Sequence, residues 1–431
     1  MVDKIQIAQV KLWGKLVGAL AFDERNGLGT FEYTKGWRDT GIQISPLHLP
    51  LSDRKYQFPE LNRATYKGLP AAFADSLPDD FGNAVIDAWL ARQGRDPGSF
   101  SAVERLQYMG QRGMGALEYF PESSDRPRKA GELDLESLAE MAQKVIDGRT
   151  NLQLEADTNG LETLFQVGTS AGGARAKAVV AVDKARRRIR SGQVDLEDGY
   201  EHYLLKFDGI VESNRSQQTF GDPQGYGRME YAYYLMARAV DIDISHCELL
   251  QEGDRAHFLT RRFDRDGNRK LHYQSLCAMD HADYKQPGHY SYEALFGVLR
   301  SLRFDRKAAL ELYRRMVFNI VARNQDDHAK NFGFLMQQDG SWTLAPAFDL
   351  AYSYRADSKW VNSHQLTLNG KRDEFIQADL LQPAERFRPE AKRIIQQVID
   401  TVADWPSFAD QAGVPKKLSE VIRKNHRLNL N

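Results

Sequence analysis

Within nine residues, Asn324-Gln325-Asp326-Asp327-His328-Ala329-Lys330-Asn331-Phe332 gathers two carboxylates, an imidazole, an ammonium and three carboxamides. Eighteen residues beyond Asn331, Asp349 in Pro346-Ala347-Phe348-Asp349-Leu350 adds a third carboxylate. Phosphoryl transfer from ATP asks for few protein groups. One carboxylate must orient the attacking hydroxyl and receive its proton; an amide oxygen and a second carboxylate must hold Mg²⁺ against the phosphates. Asp326, Asn331 and Asp349 supply that set. Four residues separate Asp326 from Asn331, the spacing between catalytic Asp and metal-binding Asn in protein kinases. Phe348-Asp349-Leu350 departs from the Asp-Phe-Gly that follows in those enzymes, and His328 departs from their His-Arg-Asp order. The Asp-x-His-x-x-Asn order resembles the catalytic loop of lipid kinases. A polar turn beside a core helix has a similar composition; the Phe-Asp pair downstream and the apolar helix upstream favour the phosphotransfer reading.

A second cluster is Gly168-Thr169-Ser170-Ala171-Gly172-Gly173-Ala174-Arg175-Ala176-Lys177, directly before an apolar run. Glycines let backbone N–H groups approach and cradle an anion. Ala174-Arg175 stands where a Walker A loop needs Lys and Ser or Thr, which argues against a P-loop NTPase. In Tyr203-Leu204-Leu205-Lys206-Phe207 a single Lys interrupts an apolar strand. Such a Lys is costly to bury unless it is paired or binds phosphate. Glu230 on the next helix is a candidate partner, with a surface carboxylate as the alternative. Phe258-Leu259-Thr260-Arg261-Arg262-Phe263 falls where a hinge contacting adenine belongs.

These clusters need elements to carry them. Apolar runs at 10–13 and 16–22, a turn at Asn26-Gly27 and a run at 30–33 predict a β-rich start. A short helix is expected over 82–92 and a strand over 117–121. Residues 122–134, polar and flanked by Pro121, read as a linker. Leu135, Leu138, Met141, Ala142, Val145 and Ile146 share one face of a helix over 134–147, with Asp134 as N-cap. Strands are expected at 178–182, 203–207, 256–263 and 270–274, interrupted by a helix over 230–240. Beyond 290 the pattern is helical, most clearly over 305–324 and 389–405.

The chain has 431 residues and a net charge of −1. That length allows two or three domains, and the charge argues against a protein that coats nucleic acid alone. Basic runs such as Lys184-Ala185-Arg186-Arg187-Arg188 read as solvated surface. Two cysteines, Cys247 and Cys277, cannot form a disulfide framework. No secretory signal or membrane-spanning run is visible, so a cytoplasmic location and no membrane partner are expected. No histidine pair lies at zinc-ligand spacing near the acidic cluster, which weighs against a metalloenzyme.

The chain resembles the HipA family of type II toxin–antitoxin kinases over nearly its whole length. The matching pieces include Ile44-Ser45-Pro46, Asp75-Ser76-Leu77-Pro78-Asp79, Gly110-Gln111-Arg112-Gly113-Met114-Gly115, Gly172-Gly173-Ala174-Arg175-Ala176-Lys177 and Arg262-Phe263-Asp264-Arg265. The segments around Asp326 and Asp349 complete the set. The resemblance implies a catalytic Asp at Asp326, Mg²⁺ ligands at Asn331 and Asp349, and a phosphate-contacting Lys206. It implies further ATP contacts at Gly172, Gly173, Ala174, Arg175, Ala176, Lys177, His328 and Lys330, and an adenine hinge at Arg261, Arg262 and Phe263. Arg261 stands where the family often has an acidic residue, which leaves a backbone contact there. The family's autophosphorylated Ser falls on Ser170. A phosphate in that loop would repel the nucleotide, so self-inactivation is expected. The implied partners are a HipB-like helix-turn-helix antitoxin, operator DNA reached through the toxin–antitoxin complex, and a protein substrate resembling an aminoacyl-tRNA synthetase, whose phosphorylation arrests growth.

The expected fold is α+β, two-lobed and protein-kinase-like. A β-rich N-terminal subdomain (1–125) precedes the rest of the N-lobe (134–265) and an all-helical C-terminal lobe (266–431). Two rivals remain: a small-molecule or lipid kinase, and a catalytically silent co-repressor.

Overall fold

The computed structural model describes residues 5–122, 132–147, 158–168, 175–186, 188–210 and 224–430. Ser170, Gly172, Gly173 and Ala174 therefore lie outside the described residues, as does most of the expected linker.

The chain opens with an antiparallel sheet in the order β3-β2-β1-β4, from β1 (Ile5–Leu12), β2 (Lys15–Asp23), β3 (Leu28–Tyr33) and β4 (Leu117–Phe120). Alternation sets its faces: Ala8, Val10 and Leu12 are buried, Ile7 and Gln9 exposed. A second antiparallel sheet runs β6-β5-β7-β9-β8. Its members are β5 (Lys177–Asp183), β6 (Ile189–Ser191), β7 (Tyr200–Lys206), β8 (Cys247–Glu252) and β9 (Arg255–Arg261). Helices Leu135–Asp147 and Thr158–Gly168 pack against it, and so does helix Asp80–Arg92, which arrives from the N-terminal region. Phe81, Val85, Ile86 and Leu90 enter the same core as Leu138, Phe165, Val180 and Leu205. The N-terminal region thus supplies part of the wall of the next unit.

After the small hairpin β10 (Arg265–Asp266) and β11 (Arg269–Lys270), the chain is dominated by helices Tyr292–Ser301, Arg306–Val321, Arg388–Ala403, Trp405–Ala412 and Lys416–Asn425. The α+β, kinase-like expectation holds, but the C-terminal lobe is not all-helical. It contains a three-stranded sheet, β12 (His272–Ser275), β13 (Gly333–Met336) and β14 (Trp342–Leu344), in the order β12-β13-β14. All four residues of β13 are buried, so it shows no polar–apolar alternation for a pattern search to find.

Candidate active site

Asp326, Asn331, Asp349 and Lys206 converge on one cleft, and ordinary local structure brings them there. Asp305 caps helix Arg306–Val321 by accepting the Ala308 N–H at 2.9 Å. The helix buries Leu312, Met316, Val317, Ile320 and Val321, and then releases the chain into the loop that carries Asp326. Residues 329–331 make one tight turn and feed β13. The β13–β14 hairpin turns at Asp339-Gly340, where Gly340 takes φ +85°, a conformation glycine adopts freely. The Ala345 N–H donates to Gly333 O at 2.9 Å, closing the hairpin base. This fold-back places Asn331 and Asp349 at the same end of one hairpin. Asp349 itself sits at φ +56°, unusual for a residue with a side chain.

On the opposite wall, Lys206 ends β7. Its Nζ donates to Glu230 Oε1 at 2.5 Å and also to Asp349 Oδ1. Glu230 lies on helix Tyr226–Ala239 and is buried, so the surface alternative for it is excluded. The helix can reach the sheet because Gly227 lies against β9: a Cβ there would stand 2.2 Å from Ala256 O. Burial would lower the Lys206 ammonium, but Asp349 and Glu230 outweigh it and hold its pKa above the ordinary value. Burial would raise Asp349, yet Lys206 and then Arg175 hold that carboxyl well below the carboxylate range. Burial pushes Glu230 up against the pull of Lys206.

Lys177 is the register partner of Lys206 across β5 and β7, so both side chains emerge on one face. Its Nζ lies 3.3 Å from Asp79 Oδ2, with both side chains buried. Asp79 is also the N-cap of helix Asp80–Arg92, accepting the Gly82 N–H at 2.6 Å. Burial pushes Asp79 up to about 6 despite Lys177. Asp79 stood in a matching sequence piece but was given no role there. Its partner lies 98 residues away, beyond the reach of any local pattern. Arg175 lines the cleft and approaches Glu230 Oε2 at 3.9 Å.

Asp326 faces the cleft, with His328 Nε2 at 3.8 Å. Burial pushes its carboxyl up from the ordinary value, against the pull of His328 and with the push of Asp349. Asn331 Nδ2 donates to Asp326 O at 2.8 Å, which turns the amide so that its oxygen is the atom left for a cation. Lys330 lies over the Tyr284 ring at 5.1 Å. Asp327, the neighbour of the proposed base, is wholly buried and points away. It accepts from Tyr292 Oη at 2.7 Å, His364 Nδ1 at 2.9 Å and the Gln365 N–H at 2.7 Å. It anchors the loop rather than lining the cleft.

The three expected hinge residues all line the cleft, and two of them have side-chain and N–H partners within the protein. Arg262 donates its guanidinium to both Asp264 oxygens, at 2.9 and 2.7 Å, and its backbone N–H to His202 O. Its guanidinium and N–H therefore brace the structure. The Arg261 N–H is likewise given to His246 O, and its guanidinium pairs with Glu201 at 3.2 Å. Phe263 contacts Phe348, with ring centroids 5.4 Å apart, and both line the cleft, forming an apolar wall suited to a flat base. Ala176 is buried beside Lys177 and its carbonyl accepts the Phe207 N–H, so it contributes backbone structure.

The cleft has a volume of about 550 Å³, within the range of small-ligand sites. Sheet on one side, helices and a hairpin on the other, and a Lys–Glu–Asp cluster between them define a two-lobed, kinase-like protein. Family comparison agrees. The profile of the HipA-like C-terminal domain matches residues 169–406, and that of the HipA N-terminal domain matches residues 8–120. The chain belongs to the HipA family. It is 24% identical over 364 residues to Y4mE of Sinorhizobium fredii, a protein named as a candidate kinase, covering 80% of this chain and 77% of that one. It is 20% identical over 380 residues to the serine/threonine-protein kinase toxin HipA of Shewanella oneidensis, covering 79% and 74%. The structure of Shewanella oneidensis HipA with HipB and operator DNA superposes with a TM-score of 0.64 at 16% identity, covering 97% of this chain and 94% of that one. Among the described residues, no helix is long and apolar enough to cross a membrane.

Proposed function

We propose that this protein is a toxin that transfers the γ-phosphoryl group of ATP to a serine or threonine of a protein. The observation that carries the reading is the meeting of Lys206, Glu230 and Asp349 around one ammonium, in a cleft that also holds Asp326 and Asn331. Lys206, with Arg175 and Lys177 beside it, supplies positive charge for phosphates. Asn331 and Asp349 offer the amide and carboxylate oxygens that would hold Mg²⁺, which neutralises phosphate charge when bound. Asp326, with its raised pKa, orients the acceptor hydroxyl and takes its proton.

The remaining parts of the reading follow from family likeness. Ser170 is the proposed self-modification site, where an added charge near −2 would repel ATP phosphates. A HipB-like antitoxin and operator DNA are the proposed partners, in line with the complex formed by the Shewanella protein. A protein substrate of the aminoacyl-tRNA synthetase kind and autorepression of the operon complete it.

Intact mass after incubation with Mg·ATP tests the reading. Wild type should gain one phosphate, and Asp326→Asn and Ser170→Ala should gain none. A wild type that neither gains mass nor binds Mg·ATP by calorimetry overturns it in favour of a silent co-repressor.

A further inference from the structure

Beyond Asp349, residues 352–365 form a loop that lines the cleft beside Asp326. Both its ends hang from the segment that carries Asp326. At the first end, the Gln325 N–H donates to Ser353 O at 3.2 Å and the Ser353 N–H to Arg323 O at 3.1 Å. At the second, the Gln365 N–H and His364 Nδ1 meet the Asp327 carboxylate. The Gln365 side chain then donates both to Gln325 O, at 3.3 Å, and to Trp360 O. The tip is closed on itself by the Arg355 N–H donating to Val361 O at 3.2 Å. The backbone of Trp360 is thereby tied, through one glutamine, to the residue before Asp326.

What this framework holds out is costly to leave in water. Trp360 is 44% exposed and lines the cleft with Tyr354 and Val361. Arg323 lies over the Tyr354 ring at 4.3 Å and fixes it from behind. A rigid aromatic contributes large contact area for little ordering entropy, which is why tryptophan is enriched among the residues that dominate interfaces. The charges at the tip nearly cancel: Arg355 pairs with Asp357 at 3.0 Å, leaving Lys359. That is a poor seat for an anionic headgroup, and Trp360 with Tyr354 and Val361 is too short a patch for an acyl tail. It suits a single apolar side chain of an extended polypeptide.

We propose that residues 352–365 are the acceptor shelf of this site. In this view Trp360 seats a bulky apolar side chain next to the hydroxyl-bearing residue of a polypeptide, and Gln365 is a positioning residue that sets the distance from Trp360 to Asp326. The proposal rests on the phosphotransfer reading above. In that reaction the hydroxyl oxygen bonds to the γ-phosphorus and the bond to the β-phosphate oxygen breaks. ADP leaves with the electron pair, and the hydroxyl proton passes to Asp326. The shelf decides which hydroxyl is presented.

A degenerate peptide library with a fixed Ser or Thr and Mg·ATP is the test. Wild type should select a bulky apolar residue at one flanking position. Trp360→Ala should raise KM for the selected peptide about tenfold or more and erase that preference, while ATP affinity by calorimetry changes less than about twofold. Trp360→Phe should restore most of both. Unchanged KM and preference in Trp360→Ala overturn the shelf. Wild type that binds and hydrolyses Mg·ATP yet phosphorylates no peptide overturns a polypeptide acceptor and leaves the phosphotransfer reading standing. Wild type that neither binds nor hydrolyses Mg·ATP removes both.

Discussion

At the scale of single residues, the buried pair Lys177–Asp79 makes the sharpest stability prediction. Removing one member strands the other's charge, at a cost of about 3–5 kcal/mol, whereas replacing both with apolar groups can be nearly neutral. Urea denaturation should therefore find Asp79→Leu and Lys177→Met each strongly destabilised and the double variant closer to wild type. Equal loss in the double variant would show that the pair does not set the stability of the site. Three residues of the candidate site were legible because their types and spacing are constrained together: Asp326, Asn331 and Asp349 stood out from a short stretch of sequence, and all three line the cleft. Asp79 was not, because its role comes from a contact between distant segments. Glu230 was half legible. Its position after the Lys206 strand suggested a partner, but only the packing of its helix against the sheet removes it from the surface.

Among the elements, helix Tyr226–Ala239 is placed by the missing side chain at Gly227. Gly227→Ala forces a Cβ against Ala256 O, and overpacking of this kind costs about 1–3 kcal/mol. The helix should shift away from β9, weakening the Lys206–Glu230 bond. The expected result is a lower melting temperature together with ATP affinity reduced beyond what the stability loss explains. Unchanged affinity would mean that the sheet alone positions Lys206. Asp305→Ala should cost about 1 kcal/mol through the lost cap on helix Arg306–Val321, read by chemical denaturation. That helix was readable from its apolar stripe, as was Leu135–Asp147, and Asn26-Gly27 marked the turn between β2 and β3. Strand β8, Cys247–Glu252, was not anticipated, because Cys-Glu-Leu-Leu-Gln-Glu carries neither alternation nor β-branched residues. It is a strand because β9 offers it a ladder of hydrogen bonds.

For the whole molecule, mild acid should already be destabilising. Burial lowers His202 and His272 to about 4 and His426 to about 3. The unfolded chain takes up protons near pH 6.5 and the folded one does not. Stability contributed by these residues is therefore complete above about pH 6.5 and lost as pH falls toward 4, by at most about 1.4 kcal/mol per pH unit for each. Asp79, raised by burial, works in the opposite sense. Denaturation midpoints should fall between pH 7 and pH 5, and His272→Gln should flatten the slope; a midpoint independent of pH would refute this. The two-lobed plan was legible from strands followed by helices, but the sharing of helix Asp80–Arg92 between regions was not. Lys206 stands at the junction of the lobes, one hydrogen bond on Glu230 above and one on Asp349 below. In the proposed reading, phosphates compete for the very ammonium that Asp349 now holds, and a cation competes for the carboxylate that Lys206 now holds. Each ligand dissolves the bond that obstructs the other. Nucleotide and divalent ion should thus bind with positive, reciprocal linkage, each arriving to find its site already released by the other.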